Sequence, residues 1–392
     1  MNNRIYLDNA ATTEMLPEVS YAMEPFFIKK YGNASSSYEL GGEAKDAIEL
    51  AREQVAASIM ARPSEIFFTS GGSESDNWAI KNTAGERKHQ GKHIITSKIE
   101  HHAVLHSCKY LEELDYKVTY LDTDRDGIID MSQLERTIRE SEYDEDAKEN
   151  VTLISIMYAN NEIGTLQPVE EIGKLARRKG IIFHTDAVQA VGQLPISVRR
   201  LPVDLMSASA HKFHGPKGVG FLYVREGVEL PSFIHGGAQE KGKRAGTENV
   251  AGIVGMAKAL TIATKEMGRK SKELANLRNY FAKRVLNEIP EVTFNGHSEK
   301  RLPGNLNFSF KDVQGMSLLV LLEEEGILAS AGSACSSGIT RISHVIEAIG
   351  VPEEYAYGTI RFTMGRDTTQ RDVDKTISVL KKSVQLLRAG VS

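Results

Sequence analysis

From about residue 66 the chain alternates short apolar or β-branched runs with amphipathic stretches. The runs "EIFFTS", "KHIITS", "VTLISIMYAN", "GIIFHTDA", "VDLMSASA" and "GVGFLYV" show little period-two alternation, which is the pattern of strands buried on both faces. The stretches "SESDNWAIKNTAGE", "HAVLHSCKYLEEL" and "PVEEIGKLARRKG" between them read as helices. Strand and helix in turn predict an α/β fold with a mainly parallel sheet between helices. The alternation stops at "ALTIATKEMGRKSKELANLRNYFAKRVLNEI", a long helical pattern, so a domain change is expected near 258–265. Beyond it, the strands "LNFSF" and "TIRFTMG" and the helices "SLLVLLEEEG" and "DVDKTISVLKKSVQLLRAG" predict a smaller α+β domain.

Two local patterns invite other readings. In "DTDRDGIIDMSQ", Asp122, Asp124, Asp126 and Gly127 fall where a calcium-binding loop wants them, but Gln133 stands where that loop needs a bidentate Glu. The preceding "YKVTYLDT" reads as a strand rather than a helix, so a polar turn is expected. The acidic stretch "RESEYDEDAKEN", Arg139 to Asn150, is expected to be a solvated loop.

Composition narrows the class. In 392 residues, 48 Lys and Arg against 52 Asp and Glu leave a net charge of −4, with no polybasic signature for nucleic acid or anionic membrane. No apolar run approaches the length of a membrane span. The start "MNNRIYLDNAATT" lacks the features of a secretory signal, so a cytoplasmic protein is expected. Two cysteines argue against a disulfide framework. Cys108 shares a helical face with Val104 and Leu111 and reads as a small core residue. Cys335 sits in "ASAGSACSSG", a polar loop of small residues that fits an inert buried thiol poorly.

The chemistry centres on "SASAHKFHGPKG", where Lys212 follows a buried strand. A lone lysine there is most often a surface residue with a buried stem. The alternative is an amine kept neutral by desolvation so that it can attack a carbonyl, as in a pyridoxal phosphate site. Such a site needs a phosphate cradle, and "FFTSGGSESDN" runs strand, Gly71-Gly72, Ser73, helix. A capping box from Ser73 to Asp76 would explain the same residues structurally. It needs a carboxylate for the ring nitrogen, and Asp186 closes "GIIFHTDA", although an Asp there also suits a helix cap. His101 in "KIEHHAVLH" suits ring stacking and proton transfer, while His102 and His106 read as surface or packing residues. Asn161 and Gln189 lie beyond strands of the same expected edge, where parallel strands converge.

Taken in order, "YLDNAATT", "FTSGGSESDN", "EHHAVL", "MYANNEIG", "HTDAVQAVG", "SASAHKFHGPKGVG", "RAGTENV" and "GSACSSG" resemble the cysteine desulfurases of the NifS/IscS kind, in the class V aminotransferase branch of fold-type I pyridoxal phosphate enzymes. The resemblance spans nearly the whole chain. It implies a large domain over 15–260 with a mainly parallel seven-stranded sheet, and a small α+β domain of 1–14 and 261–392 carrying the Cys335 loop. By the same resemblance Lys212 holds the cofactor covalently, Asp186 pairs with its ring nitrogen, and His101 stacks on the ring. Asn161 and Gln189 contact the ring; Gly72, Ser73, Ser209 and His211 bind the phosphate or its surroundings. Thr247 reaches the phosphate of the other subunit, which implies a homodimer. Arg361, otherwise a routine strand-edge arginine, pairs with the substrate carboxylate, to which Asn161 also contributes. Cys335 is the nucleophile that takes sulfur from L-cysteine and hands it to an acceptor protein, such as an iron–sulfur scaffold or a tRNA-thiolation enzyme. The loop departs from the usual pattern at Ala331 and at Thr340, Arg341 and Ile342. No metal, direct nucleic-acid or membrane partner is implied. The rival readings are a selenocysteine lyase, another class V enzyme, or a binding protein on a degenerate version of the fold; a P-loop NTPase lacks its motif.

Overall fold

The structure, a computed structural model, describes residues 4–141, 150–331 and 341–390. A two-residue strand, β1 (Ile5–Tyr6), comes first. Seven strands follow: β2 (Ile66–Thr69), β3 (His93–Ser97), β4 (Lys117–Leu121), β5 (Val151–Ser155), β6 (Ile182–Asp186), β7 (Leu205–Ser209) and β8 (Gly220–Val224). They form one sheet in the order β2-β8-β7-β6-β5-β3-β4. Five of them, β7 to β4, pair in parallel. Only β8 runs against its neighbours, β2 and β7. The connection through Ala210–Val219 is too short for the helical crossover that parallel neighbours require, so the chain reverses there. β2, β3, β5, β6, β7 and β8 are buried along their whole length, as their unbroken apolar runs predict.

The second sheet is antiparallel and smaller: β9 (Val292–Phe294) and β10 (Asn305–Phe310) lie beside β12 (Thr359–Thr363), in the order β12-β10-β9. Between them in sequence, β11 (Ile327–Leu328) pairs in parallel with β1. The apolar interior is correspondingly parted. One large cluster gathers β6, β7, β8 and the helices packed on them, including Phe183, Met206 and Phe221. Another gathers Leu7, Phe308, Phe310, Phe362 and Ile377. A 39-residue helix, Val250–Glu288, joins them: Ile253, Met256 and Leu260 belong to the first cluster, Phe281 and Val285 to the second. Residues 258–265 therefore lie inside a continuous helix that starts earlier than its sequence pattern suggested.

The calcium-like stretch is a turn. Asp124 Oδ1 accepts from the Asp126 and Ile128 N–H groups, both at 2.9 Å, and Asp130 Oδ1 accepts from Ser132 N at 2.8 Å. These carboxylates are spent on backbone, as Asx turns require. Of the acidic stretch, Arg139 to Ser141 complete the helix Met131–Ser141 rather than opening a loop, and 142–149 lie outside the described residues. Among the described residues no helix is long and apolar enough to cross a membrane.

Candidate active site

The connections leaving the carboxyl ends of the parallel strands meet at a cavity of about 480 Å³, which β12 closes from the side. Lys212 ends a short 3₁₀ turn directly after β7. Its Nζ donates to the Ala10 carbonyl at 2.6 Å and the Ala11 carbonyl at 2.8 Å. Desolvation, then the neighbouring Arg361 charge, lowers its pKa to about 8. The sequence placed a charge at a buried strand end; the fold answers by making that charge easy to lose.

Asp186 is the last residue of β6 and is buried; its Oδ1 accepts from Val188 N at 2.9 Å. Burial raises its pKa, with His101, the Val188 N–H and Lys212 pulling the other way. Gln189 donates Nε2 to the Ala10 carbonyl at 3.0 Å, while its Oε1 is buried without a partner. An unpartnered buried carbonyl in a cavity wall is costly until something donates to it.

The glycine turn expected to cradle a phosphate is built from backbone. Gly71 has φ 152° and ψ −174°, a conformation essentially restricted to glycine. It caps the helix Gly72–Arg87 without any side-chain bond, which leaves the first N–H groups free for an anion. A Cβ on Gly72 would come within 2.6 Å of Val188 Cγ2. The Ser73–Asp76 capping box does not form: Ser73 is exposed, and Asp76 is buried one turn into the helix. Ser209 and His211 line both the main cavity and an adjoining opening of about 390 Å³ that also contains Ser70, Ser73 and Lys217. His211 Nδ1 sits 3.2 Å from Thr12 Oγ1, and burial, then Lys212 and Lys217, drive its pKa down to about 4.

His101 caps the helix His102–Glu112, its Nδ1 accepting from Ala103 N at 3.1 Å. That bond leaves Nε2 as the ring's N–H in the neutral form. Asn161 lines the cavity, whereas its neighbour Asn160 is structural, donating to the Ile99 carbonyl at 2.8 Å and accepting from Glu162 N at 2.8 Å. Arg361, in β12, is buried: one Nη donates to Asp8 Oδ1 at 2.8 Å, the other to the Asn161 carbonyl at 3.0 Å, and Nε has no partner. It faces the cavity rather than solvent at a strand edge.

The structure thus brings Gly72, Ser73, His101, Asn161, Asp186, Gln189, Ser209, His211, Lys212 and Arg361 to one cavity. Thr247 is exposed and does not line it. Cys335 lies outside the described residues, while Cys108 is buried and its thiol pKa is pushed up to about 12, chiefly by burial. His102 and His106 stack at a ring separation of 5.2 Å, and His102 also lines the cavity, its ring 4.9 Å from that of His344.

Sequence reasoning missed the acidic floor. Asp76, Glu100 and Glu162 line the cavity and are all buried. Glu100 accepts from Ser97 Oγ at 2.6 Å and from Met157 N, yet burial pushes its pKa up to about 8. Asp76 carried a readable signal: it shares a helical face with Gly72, Ala79, Ile80 and Thr83, all buried. Glu100 carried none.

Orphaned acceptor and donor atoms on Gln189 and Arg361, a glycine cradle at a helix start and a carboxylate facing a readily neutral amine fit pyridoxal phosphate. Comparison with known proteins agrees. The aminotransferase class-V family matches residues 5–376. The chain belongs to that family. A relative named cysteine desulfurase IscS, from Dictyoglomus turgidum, is 51% identical over 388 residues, covering 99% of this chain and 96% of the relative. Another of that name, from Methanosarcina thermophila, is 49% identical, covering 99% and 93%. Among solved structures, a NifS-like protein superposes with a TM-score of 0.90 at 40% identity, covering 98% of this chain and all of that one. SspA in complex with cysteine superposes with a TM-score of 0.78 at 37% identity, covering 92% of this chain and 98% of that one. The fold is that of the NifS-like members of the class V family, whose cofactor is pyridoxal phosphate.

Proposed function

We propose that this chain is a cysteine desulfurase: it removes sulfur from L-cysteine, releases L-alanine and carries the sulfur as a persulfide on Cys335. The observation that carries the reading is a lysine amine whose pKa is lowered to about 8, in one cavity with a buried carboxylate, a histidine and a buried arginine.

Bound there, pyridoxal phosphate supplies an electron sink for charge developing at the substrate Cα. Lys212 would hold the cofactor and would move the Cα proton. Asp186 keeps the ring nitrogen protonated, and Gln189 uses its unpartnered Oε1 beside the ring. Gly72, Ser73, Ser209 and His211 take the phosphate. Arg361 and Asn161 orient the substrate carboxylate, for which the planar fork of Arg361 is suited. His101, with its N–H on Nε2, exchanges protons at the substrate sulfur and at the departing carbon skeleton. The Cys335 thiolate attacks that sulfur; the substrate C–S bond breaks, a new S–S bond forms, and protonation of the three-carbon fragment yields alanine.

Thr247, exposed and away from its own cavity, serves the phosphate of a second subunit, so the working unit is a homodimer. The smaller unit, 1–14 with 261–392, carries Cys335 beside the large domain of 15–260. The persulfide passes to an acceptor protein of iron–sulfur assembly or tRNA thiolation, in the cytoplasm.

The test supplies L-cysteine and a thiol reductant, which releases the persulfide sulfur as sulfide, to the pyridoxal-phosphate-loaded protein and measures sulfide and alanine. Equimolar products are expected, with sulfide release lost in Cys335→Ala. A variant releasing sulfide at the wild-type rate would overturn the persulfide role, and a wild type that acts on selenocysteine but not cysteine would move the assignment to a lyase.

A further inference from the structure

Asp76 is one of the buried acids in this cavity for which the proposed chemistry has no use. It is buried on the inward face of the helix Gly72–Arg87, and its Oδ1 has no hydrogen-bond partner. A carboxylate oxygen of Asp76, one of Asp186 and a ring nitrogen of His101 all lie within 4.8 Å of one another. Two carboxylates that close, both shut away from water, do not both stay ionised, because their repulsion acts through protein rather than solvent.

The neighbours decide which of the two keeps the proton. Asp186 receives the Val188 N–H and faces His101 and Lys212, both able to carry positive charge. Asp76 faces Asp186, Glu100 and the Ser207 hydroxyl, with His184 Nε2 at 3.6 Å from Oδ1. His184 offers no compensating charge. It is buried, its Nδ1 is 2.8 Å from Ser155 Oγ and its Nε2 3.0 Å from Ser207 Oγ, and burial drives its pKa down to about 3. Burial and the Asp186 charge also push the Asp76 carboxyl well above the usual range. Negative charge is therefore better placed on Asp186, and the proton on Asp76. The Asp186 carboxylate, being charged, accepts that proton more strongly than the neutral Ser207 hydroxyl or Glu100, itself raised to about 8.

We propose that Asp76 stands as a neutral carboxylic acid behind Asp186 and is a positioning residue for it, turning its O–H to the Asp186 carboxylate so that one oriented negative charge faces the cofactor ring. This rests on the reading of Asp186 as the partner of the ring nitrogen. Satisfied buried networks of this kind rigidify a charge; left half-satisfied they disperse it.

The test compares wild type, Asp76→Asn and Asp76→Ala as apo-proteins titrated with pyridoxal phosphate. Asparagine keeps the size and a donor without a proton to lose. It is expected to preserve both cofactor affinity and the pH midpoint of the bound cofactor's absorbance. Alanine is expected to weaken affinity roughly tenfold, the loss of one hydrogen bond to a charged group, and to move the midpoint. Infrared difference spectra of wild type against Asp76→Asn at neutral pH should contain the stretch of a protonated carboxyl. This measurement stands even where Asp76→Ala does not fold. A carboxylate band in its place, an Asp76→Asn protein that behaves like Asp76→Ala, or an Asp76→Ala protein with wild-type affinity and midpoint would each overturn the proposal. A wild type that takes up no pyridoxal phosphate would instead overturn the functional reading beneath it.

Discussion

The two sheets contribute to the cavity in opposite ways. The connections leaving β2, β3, β5, β6 and β7 at their carboxyl ends bring a glycine cradle, His101, Asn161, Asp186, Gln189 and Lys212 to one place. The antiparallel sheet sends a single arginine from the body of β12, buried between Asp8 and the Asn161 carbonyl. Parallel strands all end on the same side, so their connecting loops converge and can share one reaction. Antiparallel strands end alternately on both sides, so they reach a site best with a long side chain. The first region should therefore control chemistry, and the second should act only in substrate recognition, which Asn161 of the first shares.

The largest effect expected from that division is at Lys212. Lys212→Ala should lower turnover roughly a thousandfold or more, the scale of a lost positioned proton-transfer group. Borohydride reduction followed by mass spectrometry should find no pyridoxyl label at residue 212. Next comes Arg361→Lys, which keeps the charge but not the fork. Its KM for cysteine should rise about tenfold or more with kcat changed much less, since the loss is of one charge-assisted contact. If kcat fell as far as in Lys212→Ala, the contrast between the sheets would fail.

The pH dependence sharpens the first region. An amine attacks only when neutral, and the Lys212 pKa is lowered to about 8. The rate at which apo-protein captures pyridoxal phosphate should rise with pH and level off above about 8, whereas an ordinary lysine would keep rising towards about 10.4. Stopped-flow absorbance between pH 6 and pH 10 reads this directly. The smallest effect is expected at the exposed polar turn resembling a calcium loop. Asp126→Asn should shift stability by no more than about 0.5 kcal/mol, and calcium should leave the melting temperature of wild type unchanged.

Much of this site was legible before any coordinates. Lys212, Asp186 and His101 follow apolar runs directly, and a charged or titratable residue at the end of a buried strand is conspicuous. Gly71 and Gly72 announced a close backbone approach. Arg361 was harder, because "TIRFTMG" gives no sign of whether the arginine faces inward or out. Glu100 was invisible: nothing in "SKIEHH" distinguishes a buried carboxyl held by Ser97 and Met157 from a solvated one. Asp76 also fits half of a capping box, since the spacing of a cap and of an inward helical face overlap within the first turn.

Order along the chain was enough to reveal strands, helices and the reactive groups at their junctions, because burial imposes its periodicity within a few residues. It could not say that β8 runs backwards, that one helix joins two of the apolar clusters, or that Asp8 would hold Arg361. Nor could it assign protons. Which carboxyl stays charged depends on the distance between groups carried by separate segments and on how much water remains around them, and those quantities exist only once the segments have packed.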